Sequence, residues 1–296
     1  MMSYFKGEDT VLQDFRGKNV LVTGSAMGIG RGLSECFARQ GANLVLVDLP
    51  AQMECLAQWA RELEETCDIR ALTFCVDLTE TDGPEILHEQ IMKEVSRVHI
   101  LVNNAGVCWF GRFSEMPMER LSTMILLNCG AYAKMSRLFL PAMIESDEGG
   151  ILNISSVSAF QPVPSLGLYA ATKAFTQSLT EALRAELPSG SRVVVSTLNP
   201  PFTKTHLIDD AGVPSDYIPI KMSFMSIDEV TSAGVEAFRQ GRDRCVPGLL
   251  NKILYLGVTK YIPHGLLVFF SRVVSRRLSE IIPRRILAML GIADPR

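Results

Sequence analysis

The chain has 296 residues, of which 47% are hydrophobic and 21% charged, with a formal net charge of −3 at pH 7. This composition is globular, the length fits one large α/β domain with or without an appendage, and the weak negative charge gives no reason to expect nucleic acid as a partner. Seven scattered cysteines form no C-x-x-C pair and four histidines do not cluster, so we expect buried thiols and neither a disulfide framework nor a metal site. Residues 1–10 lack the apolar core of a secretory signal, and we expect a cytoplasmic protein.

Strand and helix patterns alternate along the chain. Short apolar runs predict strands at 19–22, 44–47, 71–76, 98–102, 150–154, 192–198 and around 244–246. Helical patterns lie between them, at about 33–38, 52–66, 84–96, 118–145, 169–187 and 228–240. Because single crossover helices join successive strands, we predict one doubly wound Rossmann-type α/β domain with a seven-stranded parallel sheet, at 1–248. A basic amphipathic helical extension would follow at 249–296.

The first strand–turn–helix unit has the features of a dinucleotide site. In the turn after the first strand, Gly24, Gly28 and Gly30 let backbone N–H groups and a helix N-terminus approach a pyrophosphate. Asp48 ends the second strand, eighteen residues after Gly30, where a carboxylate can accept hydrogen bonds from an adenosine ribose. A glycine-rich turn alone is weak evidence, but the strand, the helix and the acid together indicate the site. The alternative for Asp48 is a solvated acid at a strand end.

Polar residues stop most of the predicted strands. In parallel sheets ligands bind outside the carboxyl ends of the strands, so we expect these residues to share one edge of the sheet. They are Thr23, Asp48, Asp77, Asn103, Ser155, Ser156 and Asn199.

Tyr169 and Lys173 are four residues apart on a predicted helix, so both side chains project from the same face. A tyrosine with a pKa of about 10 shuttles protons poorly at neutral pH, and a neighbouring ammonium would lower that pKa. The hydroxyl of Ser156 could donate a hydrogen bond to a substrate carbonyl oxygen. Taken alone, such a Tyr–Lys pair is more often an ordinary pair on a helix surface, and Ser155-Ser156 could simply cap a loop.

Five motifs taken together are more specific than any one of them. Their residues are Thr23-Gly24-x-x-x-Gly28-x-Gly30, Asn103-Asn104-Ala105-Gly106, Asn128, Ser156 and Tyr169-x-x-x-Lys173, with Ser156 thirteen residues before Tyr169. This order and spacing resemble those of the classical short-chain dehydrogenase/reductase family, over about residues 14–248. The resemblance implies an oxidoreductase that transfers hydride between a nicotinamide and the carbon of a secondary alcohol or ketone.

The resemblance also implies roles for individual residues. Tyr169 would be the general acid–base, Ser156 would orient and polarise the carbonyl, and Asn128 would hold a water that links Lys173 to solvent. Lys173 would bind the nicotinamide ribose and lower the pKa of Tyr169. No metal would be needed, because Ser156 and Tyr169 would stabilise the negative charge that develops on the substrate oxygen. The expected cofactor-binding residues are Gly24, Ser25, Met27, Gly28, Ile29, Gly30, Asp48, Asp77, Leu78, Asn104, Ala105, Gly106, Tyr169, Lys173, Pro200, Thr203 and Thr205.

The form of the cofactor follows from charge. The carboxylate of Asp48 would repel the 2′-phosphate of NADP, and Leu49 and Pro50 after it bring no compensating cation. We therefore predict NAD rather than NADP. One departure from the family is Pro201, where a glycine is usual, because proline removes an N–H that glycine would supply. Thr203 and Thr205 could still reach the nicotinamide carboxamide and the phosphates.

Apolar residues are frequent in the two segments that would border a substrate. The loop after Gly106 contains Trp109 and Phe110, and the segment 202–226 lies where the family has a substrate lid. Its apolar members are Leu207, Ile208, Tyr217, Ile218, Ile220, Met222, Phe224 and Met225. They indicate a lipophilic substrate, steroid-like or with an acyl chain. Packing against a partner subunit or a helix edge is the alternative.

The segment 250–296 is basic, with eight Lys or Arg against two acids, so it carries +6 and the rest of the chain −9. Its apolar runs are shorter than the ~20 residues of a membrane-spanning helix, and the pattern suits peripheral contact with an anionic membrane. Alternatively, the extension packs across a neighbouring subunit or covers the site.

Two classes of function remain for this sequence. The first is an NAD-dependent short-chain dehydrogenase/reductase, and the second is a non-catalytic dinucleotide-binding scaffold or redox sensor of the same fold. The presence of Ser156, Tyr169 and Lys173 favours the enzyme. The helices at 118–145 and 169–187 resemble those that form family dimers and tetramers, so we expect a homodimer or homotetramer.

Overall fold

The computed structural model describes residues 14–203, 205–213 and 225–274. Its strands form one sheet of seven parallel strands in the order β3-β2-β1-β4-β5-β6-β7. The strands are β1 (Asn19–Thr23), β2 (Asn43–Asp48), β3 (Ala71–Cys75), β4 (Ile100–Asn103), β5 (Gly150–Ile154), β6 (Val194–Leu198) and β7 (Arg244–Cys245). The doubly wound parallel sheet predicted from the sequence is confirmed.

Helices cover both faces of this sheet and continue beyond its last strand. They are α1 (Gly28–Ala38), α2 (Met53–Cys67), α3 (Gly83–Glu94), α4 (Met118–Ile125), α5 (Tyr132–Glu145), α6 (Gly167–Ala185), α7 (His206–Asp210), α8 (Ile227–Arg239), α9 (Leu249–Lys252), α10 (Thr259–Tyr261) and α11 (His264–Val274). Single π-helical turns follow α4, at Leu126–Ala131, and α9, at Ile253–Val258.

The element boundaries differ from the predicted ones by a few residues. The long helix predicted at 118–145 is continuous but contains the π-helical turn, and α6 begins at Gly167, two residues before the predicted start. The first helical bond of α6 runs from the Ala170 N–H to the Leu166 carbonyl, so Tyr169 lies in the first turn of the helix.

The core lies in two layers because successive side chains of a strand point to opposite faces of a sheet. In β1, Val20 and Val22 pack in the layer with helices α1, α2 and α8, whereas Leu21 packs in the layer with α3 and α5. Each fully buried aliphatic side chain contributes roughly 1.5–3 kcal/mol to folding. Both faces are therefore apolar, as the uninterrupted apolar runs of the sequence predicted.

A buried polar network joins the central strands just below their carboxyl ends. The Nδ2 of Asn103 donates to the Oδ1 of Asn153 at 2.8 Å, and the Nδ2 of Asn153 donates to the Oγ1 of Thr180 at 2.8 Å. These bonds connect β4, β5 and α6, so the helix that carries Tyr169 and Lys173 is tied to the middle of the sheet.

The extension is helical as far as it is described, and its basic residues beyond 274 lie outside the described residues. The rings of Tyr255 and Phe160 lie 6.3 Å apart, so the π-helical turn after α9 packs against the loop after β5. Within the described ranges no helix combines the length and hydropathy needed to cross a membrane. All seven cysteines are free, but the expectation that they are buried is right only for Cys245, because Cys55 is exposed and the other five are partly exposed.

Candidate active site

One cavity of about 930 Å³ opens at the carboxyl ends of the strands. It extends from Asp48 and Asp77, at the ends of β2 and β3, to Ser156 and Tyr169 on the other side of β1. The strand order reverses between β1 and β4, and such a switch point leaves a crevice where loops on the two sides diverge. The volume is near the upper end of the roughly 300–1,000 Å³ of ligand pockets.

The glycine turn packs directly against the loop after β4. A Cβ on Gly24, whose φ is +65°, would lie 2.9 Å from the Cα of Ala105, and one on Gly30 would lie 2.0 Å from the Gly24 carbonyl oxygen. At Gly28, φ is +58° and the nearest atoms to a Cβ belong to Thr205, at 3.6 Å. The first and third glycines thus permit close packing, whereas Gly28 leaves room on the cavity side, as a pyrophosphate requires.

Thr23 and Asn104 hold that loop in place. The Oγ1 of Thr23 accepts the N–H groups of Asn104 and Ala105, both at 3.0 Å. The Nδ2 of Asn104 donates to the carbonyls of Thr23, at 2.8 Å, and Gly24, at 3.0 Å. Side chains therefore link the ends of β1 and β4, beyond the last bonds of the sheet.

Both oxygens of Asp48 accept backbone N–H groups. Oδ2 accepts from Ala26 at 2.8 Å and Oδ1 from Leu49 at 2.9 Å, which fixes the carboxylate at the cavity wall. Each oxygen keeps a lone pair that could accept a ribose hydroxyl. Asp77 is held similarly, because its Oδ1 accepts the N–H and the hydroxyl of Thr79 at 2.8 and 2.7 Å. The residues present thus fit a dinucleotide.

Lys173 is buried, and its Nζ donates to the carbonyl of Ile154 at 2.8 Å. The same nitrogen lies 5.6 Å from the centre of the Tyr169 ring. The hydroxyl of Ser155 donates to the Lys173 carbonyl at 2.9 Å, so the end of β5 positions both the backbone and the side chain of this residue. Both serines line the cavity, and the Oγ of Ser156 also accepts the N–H of Ser158 at 3.2 Å, so Ser156 caps the turn after β5, as the alternative from the sequence proposed.

Burial acts in opposite directions on the two titratable groups. It raises the pKa of Tyr169 well above the usual value, while a hydrogen bond with Ser156 opposes this rise. It lowers the pKa of Lys173 to about 8. The sequence led us to expect that Lys173 lowers the pKa of Tyr169, but here desolvation of the phenol is the larger effect.

Asn128 lies in the π-helical turn between α4 and α5. Its Oδ1 accepts the N–H of Val107 at 3.0 Å, and its Nδ2 donates to the Val107 carbonyl at 2.9 Å and to the Oγ1 of Thr172 at 3.1 Å. Single π turns often occur at functional sites because the extra residue displaces a side chain from the helical register. Here the amide joins the loop after β4 to the helix that carries Tyr169.

The predicted site residues converge on this cavity. All of them line it except Ser25, Gly30 and Asn128, which are packed behind its wall. Pro201 lines the cavity, and its carbonyl accepts the hydroxyl of Thr203 at 3.0 Å.

The lid predicted at 202–226 is only partly described. Phe202, Ile208 and Val213 pack against an apolar cluster with Val163 and Leu166, beside the start of α6. The lid residues Tyr217, Ile218, Ile220, Met222 and Phe224 lie outside the described residues.

Several lining residues were missed by the sequence analysis. One group belongs to the helix at 118–145 and to the loop after β5, and a larger group belongs to the extension. They are Arg120, Thr123, Leu127, Gln161, Leu250, Asn251, Leu254, Tyr255, Thr259, Ile262, Leu267 and Ser271. The extension therefore borders the cavity, as one of the alternatives from the sequence proposed, and only its apolar periodicity could have indicated this.

Comparisons with known proteins agree with this arrangement. A family model described as short chain dehydrogenase matches residues 18–212. The very-long-chain 3-oxoacyl-CoA reductase of Bos taurus is 33% identical over 238 residues, which are 76% of this chain and 74% of that protein. The probable oxidoreductase EphD of Mycobacterium tuberculosis is 32% identical over 194 residues, 65% of this chain, but this match spans only 32% of the length of EphD.

Solved structures share the fold. A short-chain dehydrogenase from Sphingobium yanoikuyae in complex with NADPH is 29% identical, with a TM-score of 0.72, and the match covers 83% of this chain and 96% of that one. A short chain dehydrogenase/reductase from Burkholderia phymatum in complex with NAD has a TM-score of 0.73 over 96% of this chain and 99% of that one. At 24% identity the second likeness shows the fold alone.

We predict that Gly30→Ala weakens NADH binding more than tenfold and lowers the melting temperature. The added methyl would lie 2.0 Å from the Gly24 carbonyl oxygen, so the turn must open. Fluorescence titration and thermal unfolding measure both effects. Gly265→Ala is the control because a Cβ there meets no atom within 4 Å. Unchanged affinity in Gly30→Ala would contradict this account of the turn.

Proposed function

The chain belongs to the short-chain dehydrogenase/reductase family, and on that premise we propose that it is an NAD-dependent oxidoreductase with Tyr169 as its general acid–base. The observation that carries the proposal is one cavity lined by Asp48 at one end and by Ser156, Tyr169 and Lys173 at the other. Its substrate would be a lipophilic ketone or the corresponding secondary alcohol.

The side chains suit proton transfer to a carbonyl oxygen. When bound, the nicotinamide would supply hydride for reduction or accept it in oxidation. The hydroxyls of Ser156 and Tyr169 would donate hydrogen bonds to the substrate oxygen, and Tyr169 would transfer its proton to it in reduction. Since burial raises its pKa, Tyr169 keeps this proton at neutral pH. In the oxidation of an alcohol, the charge of Lys173 would favour the tyrosinate that takes the proton.

Asn128 would be a positioning residue for this proton transfer. Its three hydrogen bonds fix Val107 and Thr172, and a Cβ on Gly106 would lie 3.2 Å from its Oδ1 and 3.6 Å from the Lys173 Nζ. The amide and the ammonium thus face the same glycine. A water between them, as the family resemblance implies, stays a prediction.

Asp48 supports the choice of NAD. The two similar structures hold different forms of the cofactor, NADPH in one and NAD in the other, so the preference must come from this chain's own residues. The fixed carboxylate of Asp48 would repel a 2′-phosphate, and its neighbours along the cavity wall, Leu49 and Gln52, carry no positive charge to offset the repulsion.

The substrate class is supported by the cavity walls. The cavity that Tyr169 lines receives apolar surface from Leu166, Phe202, Ile208, Leu254 and Leu267. The bovine relative is named as a reductase of very-long-chain 3-oxoacyl-CoA, so a substrate with an acyl chain is compatible with both observations. A steroid-like ketone fits the same apolar lining.

Assembly and location are also proposals. The α4–α5 stretch and α6 expose Ile125, Leu126 and Phe175, which supports a homodimer or homotetramer through these helices. A cytoplasmic location, with peripheral contact of 249–296 to a membrane, stays a prediction. The non-catalytic scaffold is the weaker alternative because Ser156, Tyr169 and Lys173 face one cavity.

We predict that the wild type binds NADH at least tenfold more tightly than NADPH, and that Asp48→Ala abolishes most of this preference. Loss of the carboxylate removes both the ribose contact and the repulsion of the 2′-phosphate. Tryptophan fluorescence titration with each cofactor measures the ratio. Glu54→Ala, which removes an acid outside the cavity, should leave it unchanged. Equal affinities in the wild type would exclude the assigned role of Asp48.

We predict that Tyr169→Phe lowers kcat by roughly 10²–10⁴-fold while NADH binding persists, because the variant keeps the ring and loses only the hydroxyl that carries the transferable proton. Steady-state rates and a binding titration distinguish the two effects. Tyr132→Phe is a matched control, since Tyr132 is also buried and its hydroxyl donates to the Ile154 carbonyl at 3.3 Å. Comparable losses of activity in both variants would argue against Tyr169 as the acid.

We predict that kcat/KM for ketone reduction falls as pH rises through about 8, where buried Lys173 loses its charge. Below that pKa the ammonium is present, and above it the charge near the substrate oxygen is gone. Tyr169, with its raised pKa, stays protonated across this range. In Lys173→Arg the guanidinium remains charged, so the fall near pH 8 should disappear whatever the absolute rate. A fall that persists in this variant would assign it to another group.

A further inference from the structure

A second cleft, which the proposed reaction does not use, lies beside the extension. It has a volume of about 640 Å³ and is lined by Arg242, Asp243, Arg244, Lys252 and Leu256. Lys252 and Leu256 belong to α9 and its π-helical turn, whose other side chains, Leu250 and Leu254, line the large cavity. The extension therefore separates a basic cleft from an apolar cavity.

The cleft offers positive charge and unused donors. Arg244 is paired with Glu181, but its Nε is buried and has no hydrogen-bond partner among the described residues. Arg242 and Lys252 are exposed, and neither forms an ion pair within the described part of the chain. Because Glu181 offsets the charge of Arg244, the unpaired cations of this lining are Arg242 and Lys252, against the carboxylate of Asp243. Together with the unused Nε of Arg244 they suit a compact anion such as a phosphate group.

The surface of the extension beside this cleft is apolar. Leu249 and Leu250 are 77% and 74% exposed, and Ile253 and Leu254, one helical turn later, are 53% and 40% exposed. On α11, Leu266 is exposed while Leu267 and Ser271 face the cavity. Leu250 and Leu254 belong both to this surface and to the cavity wall, so the two are continuous.

We propose that α9–α11 dock on an anionic phospholipid surface, with a headgroup phosphate in the cleft of Arg242, Arg244 and Lys252. The exposed leucines would enter the region of the acyl chains, as they do in interfacial helices. The net charge of +6 over residues 250–296 complements such a surface, and Lys252, Lys260 and Arg272 supply the positive charge of the described part of this segment.

The same charge argues against a second copy as the occupant. In a twofold dimer each patch meets its own copy, so this interface would bring two strongly basic segments together. Like charges across an interface oppose association, and lipid phosphates neutralise them.

Docking in this orientation gives the cavity an entrance from the lipid. Leu250 and Leu254 would line the path from the acyl chains to Tyr169, so a lipophilic substrate need not cross water. This entry route rests on the proposed function, whereas the headgroup site does not.

The test is flotation of the full-length protein with two kinds of vesicle, phosphatidylcholine alone and phosphatidylcholine mixed with phosphatidylglycerol. We expect binding to the mixed vesicles only. Arg242→Gln/Lys252→Gln should weaken it by roughly thirtyfold, as two cations contributing about 1 kcal/mol each would do. Arg61→Gln/Lys93→Gln removes the same charge from α2 and α3 and should have little effect.

Other variants separate the apolar contact from the phosphate contact. Leu249→Gln/Ile253→Gln alters exposed residues outside both lining sets and should also weaken vesicle binding at least tenfold. Absence of vesicle binding by the wild type overturns the proposal, as does equal loss in the charge-matched control. Binding of glycerol 3-phosphate as tight as that of the vesicles would overturn lipid as its source. Self-association that Leu249→Gln/Ile253→Gln abolishes, without vesicle binding, would identify a second copy instead.

The entry route has its own readout. With NADH, a water-soluble ketone and a long-chain ketone carried in mixed vesicles are compared in the wild type and Arg242→Gln/Lys252→Gln. We expect kcat/KM to fall only for the vesicle-borne ketone. The same change in kcat/KM for both ketones in this variant would overturn the route. Vesicle binding by a protein that reduces neither ketone would leave the docking site in place and reject the proposed function.

Discussion

The close approach of the loops after β1 and β4 is the constraint on which the site depends. The strand order reverses between these neighbours, so the crevice at their carboxyl ends can admit a ligand only if the loops are held tightly beneath it. Thr23 and Asn104 exchange side-chain and backbone hydrogen bonds across the gap, and Gly24 brings its backbone against Ala105. A larger residue at Gly24 would separate the loops and open the floor of the cavity.

The chemistry at the other end of the cavity depends on desolvation. Burial raises the pKa of Tyr169 and lowers the pKa of Lys173. The lowered pKa brings the titration of Lys173 close to neutral pH, and the raised pKa keeps Tyr169 protonated there. Lys173 nevertheless has a partner, the carbonyl of Ile154, so its charge is not left without a hydrogen bond in the protein interior.

Much of this fold was predictable because its signals repeat. Apolar strands such as Asn43–Asp48 alternate with amphipathic helices, and one connection rule then determines a parallel sheet. The polar residues at the strand ends lie around one cavity because the carboxyl ends of parallel strands share one edge of the sheet. Local pattern could not predict the π-helical turn at Asn128, since its register depends on bonds to Val107 and Thr172, far away in sequence. Nor could it predict the pKa of Tyr169, because burial is a property of the whole assembly of elements around it.

The extension shows why apolar periodicity alone leaves a choice open. The pattern of α9 and its π turn identifies apolar side chains but does not predict what each side of the segment contacts. In the structure one side lines the cavity and the other is exposed. Tyr255 packs on Phe160 and lines the cavity, whereas Leu249 is directed to solvent. A helix that closes a site with one face and exposes apolar groups on the other needs a further partner for the exposed face, because water is a poor solvent for a continuous apolar patch. The cations beside that face, Arg242 and Lys252, restrict the partner to one with negative charge. Closure of the cavity and the proposed docking on an anionic surface would thus both follow from the same short amphipathic segment.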